Sequence, residues 1–195
     1  VDAYAGIGGW SAGAQQAGCT PVLGVDSDEQ PLRLWATNLP SARAACATLG
    51  TDAVDWPAAD PDVHPHFSPP CSSLSKARAG GASPSEVSAA LGAVRWCLDL
   101  VLERGYASFS LENVATPALV SLVAKYVRRH PSRVAYVVVD AADYGVASNR
   151  VRLVASTPAV VRRLKAMPVT RVSVAEAFAA AGLPWGLPGA QQGPW

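Results

Sequence analysis

Cysteine is scarce and scattered in these 195 residues: Cys19, Cys46, Cys71 and Cys97 lie far apart, with no Cys-x-x-Cys pair. That spacing excludes a zinc ribbon and the disulfide framework of a small secreted protein, and it points to a reducing compartment. Charge is sparse as well, at 16% of residues with a formal net charge of +1. A protein that holds nucleic acid by electrostatics alone is strongly basic, so a purely charge-driven binder is excluded, although a local basic patch is not. Long apolar runs are missing too. No stretch reaches the length that spans a bilayer and no charged-then-apolar leader opens the chain, which predicts an intracellular protein of the cytoplasm, nucleus or nucleoid, with no membrane partner. The initiator methionine is also lacking, and Val1 starts directly in a strand-like run. We therefore expect a piece of a longer protein.

Half of the residues are hydrophobic, as in a packed globular chain, and the length suits one sizeable core better than two. Short apolar runs bounded by turn residues alternate with helical patterns, the signature of βαβ units and a mostly parallel sheet. Strands are predicted at 1–4 ("VDAY"), 21–26, 62–67, 106–113, 133–140 and 150–156, and helices at 10–18, 29–39, 85–105 and 117–129. Residues 40–61 read as a looser stretch, and Pro65 weakens the strand at 62–67. Residues 68–84 have the composition of a long functional loop. The segment "AADYGVASN" is too short for a helical crossover, so the strands on either side of it should be antiparallel. Beyond Thr157, two further helices and a Gly/Pro-rich linker are expected, which divides the chain into a catalytic domain at 1–156 and a tail at 157–195.

Four stretches can carry chemistry. "AGIGG" between a strand and a helix lets backbone approach a ligand closely, and Asp26 ends the next strand, where a carboxylate can accept from both ribose hydroxyls of a nucleoside cofactor. A plain tight turn explains the glycines equally well. Gly-x-Gly-Gly departs from the dinucleotide fingerprint, which favours S-adenosylmethionine over NAD. Cys71, in "SPPCSSLS", follows the carboxyl end of a strand, where open α/β sheets bind ligands, and an exposed thiolate there is a candidate nucleophile. Cys19, Cys46 and Cys97 read as inert, with Cys97 on an apolar helix face. Glu112 and Asn113 end a buried strand in "LENV", either as a functional pair or as a helix cap. Arg150 and Arg152, two apart on a strand, share one face and can serve one site, or can simply face solvent on an edge. His64, His66 and His130 lack acid or metal-ligand partners and read as structural, so no metal is expected.

Taken in order, "DAYAGIGGW", Asp26, "SPPCSSLS", "LENV" and "DYGVASNRVR" resemble the DNA cytosine-5 methyltransferase family over roughly residues 1–156. The resemblance implies a doubly wound, mostly parallel α/β sheet of Rossmann-like type with an antiparallel last strand, binding S-adenosyl-L-methionine. It places Tyr4 against the adenine, Gly6, Ile7, Gly8 and Gly9 along the methionine portion, Asp26 on the ribose and Asp52 at the adenine amino group, with Pro70 beside the cofactor. It makes Cys71 the nucleophile at carbon 6 of cytosine. A partly buried Glu112 would serve ring nitrogen 3, Arg152 would hold the base oxygen, and Arg150 would position Cys71 and Glu112. Ser72, Asn113 and Val114 would line the substrate. The partner implied is DNA with the target cytosine flipped out of the duplex, as in restriction-modification systems.

Departures from the family pattern are Ser72 where Gln is usual, Leu74 where Phe is usual, and Ala147-Ser148 where Pro-Gln is usual. No target-recognition region or final cofactor motif is found before Trp195. The chain would then be monomeric, or completed by a missing segment. Three other readings stay open: an RNA (tRNA) cytosine-5 methyltransferase, a catalytically inactive methyltransferase-like module, and an NAD-dependent oxidoreductase. The last leaves Cys71, Glu112 and the arginines without a role.

Overall fold

The computed structural model describes residues 1–75 and 81–182, so the linker expected at the end of the chain lies outside the described residues. The predicted alternation becomes a seven-stranded sheet. Its strands are β1 (Asp2–Ala3), β2 (Leu23–Asp26), β3 (Arg43–Cys46), β4 (His66–Phe67), β5 (Ser110–Val114), β6 (Ala135–Asp140) and β7 (Val151–Ser156). The spatial order is β3-β2-β1-β4-β5-β7-β6. β1 pairs in parallel with β2 on one side and β4 on the other, so the winding reverses there. At such a switch point the loops after the strands diverge and leave a crevice for a ligand. β7 alone runs backwards, antiparallel to both β5 and β6, because the nine residues from Ala141 to Asn149 can only turn the chain round.

The helices are α1 (Gly9–Gln16), α2 (Glu29–Asn38), α3 (Pro84–Arg104), α4 (Pro117–Arg129), α5 (Pro158–Ala166) and α6 (Val174–Ala180). Their ends follow local chemistry. Ser83 and Glu86 form a reciprocal capping box that starts α3, and Gly105 at φ 75° stops it. Thr116 and Pro117 open α4, with the Thr116 hydroxyl accepting from the Leu119 N–H. Between helices and sheet, Val94, Cys97, Leu98 and Val101 of α3 join Leu119 and Val123 of α4 and the strand residues Phe67, Leu111, Leu153 and Ala155 in one buried core. A smaller core under α2 is built on Leu32, Trp35 and Leu39.

Two expectations need correction. The stretch read as loose contains β3, whose side chains are largely exposed. As an edge strand it is held by its backbone register with β2, Leu23 to Arg43 through Asp26 to Cys46, so it carries no apolar alternation to read. The strand read at 62–67 shrinks to His66–Phe67. Asp60 and Val63 close a turn instead, and Pro65 has no N–H to offer a ladder. Among the described residues no helix is long and apolar enough to cross a membrane.

Candidate active site

The glycine turn after β1 needs unusual backbone. Tyr4, Gly6 and Gly8 take φ of 62°, 51° and 96°, so even a tyrosine is held in the left-handed region. A Cβ on Gly6 or Gly9 would meet nothing within 4 Å, so this backbone borders open space. Gly8 is different: its Cβ would stand 2.8 Å from Cδ1 of Trp35. It is excluded from carrying a side chain by the core below, whatever lies above. Ile7, at the tip, is 65% exposed, a large apolar side chain left mostly uncovered by protein.

Asp26 closes the other side of the crevice. Its Oδ2 accepts the Gly6 N–H at 2.8 Å and its Oδ1 accepts the Asp28 N–H at 2.9 Å. Each oxygen keeps a further lone pair, so the carboxylate is oriented and still able to accept hydroxyls. Open glycine backbone, an uncovered apolar side chain and an oriented carboxylate at a switch point fit a nucleoside-bearing cofactor. Asp52 lies in the exposed turn after β3, where its Oδ2 accepts the Thr48 N–H at 2.7 Å. The Tyr4 hydroxyl is directed inward to Cys97. Burial pushes the Tyr4 hydroxyl up out of its ordinary range and the Cys97 thiol up to about 12, which makes Cys97 an inert packing residue.

Cys71 sits half-buried four residues past β4. Its carbonyl accepts the N–H groups of Leu74 and Ser75, both at 2.9 Å, so residues 71–75 fold into a single helical turn. Two neighbours tether this turn. Ser68 donates its N–H to Ala3 of β1, and the buried Asn113 donates from Nδ2 to the Pro69 carbonyl at 2.8 Å. Asn113 accepts the Val114 N–H in turn. Pro70 and Ser72 are exposed on the turn, and Val114 is half-buried at the end of β5.

Glu112 is where the two arginines meet. Its Oε1 lies 2.6 Å from Nε of Arg152 and 3.6 Å from Nη2 of Arg150. The antiparallel register makes this possible, since Val114 pairs with Arg152 and the start of β7 lies at the carboxyl end of β5. The Asp140 carboxylate accepts the N–H groups of Arg150 and Ala142, fixing the root of the arginine segment. Arg152 on the reverse strand and Arg150, which the sequence placed on that strand but which stands in the turn just before it, thus bring two cations to the edge of the sheet where the parallel strands deliver Cys71, Glu112 and Asp26.

Three features were not anticipated from the sequence. Asp2, Ser11 and Trp35 form a buried chain of hydrogen bonds under the glycine turn. His64 and His66 bond to the Ser108 and Ser110 hydroxyls, with the Trp10 ring stacked on His66. Serines two apart in a polar strand beginning gave no usable signal for it. A cavity of about 730 Å³ opens between residues 146–149 and 171–176, sharing no residue with the predicted site.

The family described as C-5 cytosine-specific DNA methylase matches residues 1–159. No curated protein matches significantly. Among solved structures, a protein described as a DNA modification methyltransferase encoded within an E. coli prophage superposes with a TM-score of 0.63 at 21% identity, over 100% of this chain and 56% of its own. The Dnmt2 methyltransferase of S. pombe does so with a TM-score of 0.56 at 16% identity, over 92% and 52%. Spodoptera frugiperda DNMT2, as a triple mutant, gives 0.54 at 17%, over 80% and 48%. These likenesses are of fold, and the chain spans about half the length of each of those structures.

Proposed function

The chain belongs to the C-5 cytosine-specific DNA methylase family, and from that premise we propose that it moves a methyl group from S-adenosylmethionine to carbon 5 of a cytosine in DNA. The observation that carries this reading is the Glu112 carboxylate gripped by Arg152 and Arg150 on the strand next to the one that leads into Cys71. A carboxyl group, a guanidinium and a thiol at one sheet edge match what the carbon 5 of cytosine needs. That carbon is a poor nucleophile until another nucleophile adds at carbon 6.

In this reading the Cys71 thiolate forms a bond to carbon 6 and splits one hard step into easier ones. Glu112, taking up a proton as the base enters, gives that proton or a hydrogen bond to ring nitrogen 3, which draws electrons from carbon 6. Arg152 spends Nε on Glu112 and Nη1 on the Val151 carbonyl, so its Nη2 donors are left for the base oxygen. When bound, S-adenosylmethionine supplies an electrophilic methyl group on its sulfonium. Gly6, Ile7, Gly8, Gly9 and Pro70 would border it, Asp26 would accept from its ribose, and Tyr4 and Asp52 would serve its adenine. Loss of the carbon 5 proton to a solvent base, departure of the Cys71 sulfur from carbon 6 and return of the nitrogen 3 proton to Glu112 restore the ring, the thiolate and the acid. None of these groups can reach a base stacked in a duplex, so the target must be swung out.

The test uses full-length protein, S-adenosylmethionine labelled in its methyl group, duplex DNA and, in parallel, a tRNA transcript. Label is expected in DNA cytosine and should be lost with Cys71→Ala. Equal transfer by Cys71→Ala would overturn the mechanism, and label in the RNA alone would overturn DNA as substrate.

A further inference from the structure

The glycine turn is clamped from below by three residues that no step above uses. Asp2 is at the start of β1, ahead of the turn, and Ser11 is in the first turn of α1, behind it. The Ser11 hydroxyl donates to Oδ2 of Asp2 at 2.7 Å, closing the ends of the turn on each other. That same hydroxyl oxygen accepts the indole N–H of Trp35 at 3.0 Å. All three residues are almost wholly excluded from solvent, so these bonds face no competition from water.

Trp35 contacts both halves of the cofactor crevice. A Cβ on Gly8 would lie 2.8 Å from its Cδ1, and a Cβ on Gly24 would lie 2.5 Å from its Cε2. Gly8 is the last residue of the turn. Gly24 pairs with Asp2 across β1 and β2 and stands two residues before Asp26, on the same face of the strand. One ring therefore rests under the backbone that borders the open space and under the strand that carries the carboxylate. The Gly6 N–H to Asp26 bond spans those two halves. Helix propensity gives no reason for an indole here, and a phenyl ring would fill much of the same volume without the N–H.

We propose that Trp35, oriented through Ser11 and Asp2, is the positioning residue that sets the spacing of the glycine turn and the Asp26 carboxylate, and so the affinity for the adenosyl cofactor. The inference rests on the methyltransferase reading. Its prediction is specific to the indole N–H and the Ser11 hydroxyl. Loss of either lets the ring rock in its slot, which loosens the Gly6 to Asp26 bond while leaving Cys71, Glu112 and the arginines in place.

The experiment compares full-length wild type, Trp35→Phe, Ser11→Ala and the double variant. Titration calorimetry with S-adenosylhomocysteine should show each single variant weakened about tenfold, the size of one well-formed buried hydrogen bond, and the double variant no weaker than Ser11→Ala alone. In turnover, KM for S-adenosylmethionine should rise by a similar factor and kcat by comparison should change little. Amide exchange at Gly6 should quicken in both variants. Wild-type affinity in both single variants, or additive losses in the double, would overturn the proposal. So would a fall in melting temperature with Gly6 exchange and KM unchanged, which is the signature of a purely structural residue. Failure of the wild type to bind S-adenosylhomocysteine would overturn this proposal and the methyltransferase reading together, whereas variants that bind as well as a competent wild type overturn only this one.

Discussion

Replacing Glu112 by Gln keeps the shape of the side chain and removes the charge that two guanidiniums share. In the native site Oε1 stands 2.6 Å from one of them and 3.6 Å from the other, with side-chain exposures of 27% for Glu112, 19% for Arg152 and 56% for Arg150. A hydrogen bond to a charged partner contributes about 1.5–3 kcal/mol when well shielded. With about a quarter of the carboxylate in water the loss should be nearer 1–2 kcal/mol. For a chain of this size that is a fall in melting temperature of about 2–8 °C, too little to unfold the protein at 25 °C. The effect on rate should be far larger. Gln can offer an N–H to ring nitrogen 3 but no transferable proton, and loss of such a group costs about 10²–10⁴-fold. Single-turnover transfer of labelled methyl to DNA measures the rate, and DNA carrying 5-fluorocytosine measures the steps up to methyl transfer apart from the final elimination, because the fluorine left on the methylated carbon 5 cannot leave as a proton and the Cys71 adduct accumulates. Both should slow by the same factor. Turnover within threefold of wild type, or normal adduct formation with slow turnover, would refute the assignment of Glu112 to activation of carbon 6.

Asn113→Ala removes the tether from β5 to the Pro69 carbonyl; methyl transfer should slow by about tenfold or more with cofactor affinity unchanged, as read by paired calorimetry and single-turnover assays. Gly24→Ala drives a methyl group to 2.5 Å from the buried Trp35 ring, and chemical denaturation should show a loss of about 1–3 kcal/mol. Stability should also depend on pH through His64 and His66, which burial pushes down to about 4 and about 3 from 6.5. The unfolded chain binds these protons first, so stability is full above pH 6.5 and falls as the pH drops towards those values, by about 1.4 kcal/mol per pH unit for each histidine. Denaturant midpoints measured from pH 7 to pH 4 should show that slope, and His66→Gln should cut it to about half.

Much of this architecture could be read from residue order. The helices of 85–105 and 117–129, the reversal between Asp140 and Arg150 and the placing of Cys71, Glu112 and Asp26 at the carboxyl ends of apolar strands all follow from interactions within a few residues. Local chemistry specifies them without reference to the rest of the molecule. β3 escaped because an edge strand paired on one side needs no apolar alternation. The shortening of β4 followed from Pro65 and from the turn at Asp60, whose closure the pattern of apolar residues did not reveal.

What lay beyond reach were the contacts between distant segments. Arg150 and Arg152 were compatible with solvent until the β5–β7 register set them on Glu112. The Pro69 carbonyl that accepts from the Asn113 amide, 44 positions away, could not be named from the sequence. Gly8 was legible as part of a ligand turn, but not that Trp35, 27 positions later, packs beneath it and leaves no room for a Cβ. In each case the residue's chemistry is written in the chain, and its partner is chosen by packing, because a register or a core contact depends on the sum of many burials that no local stretch contains.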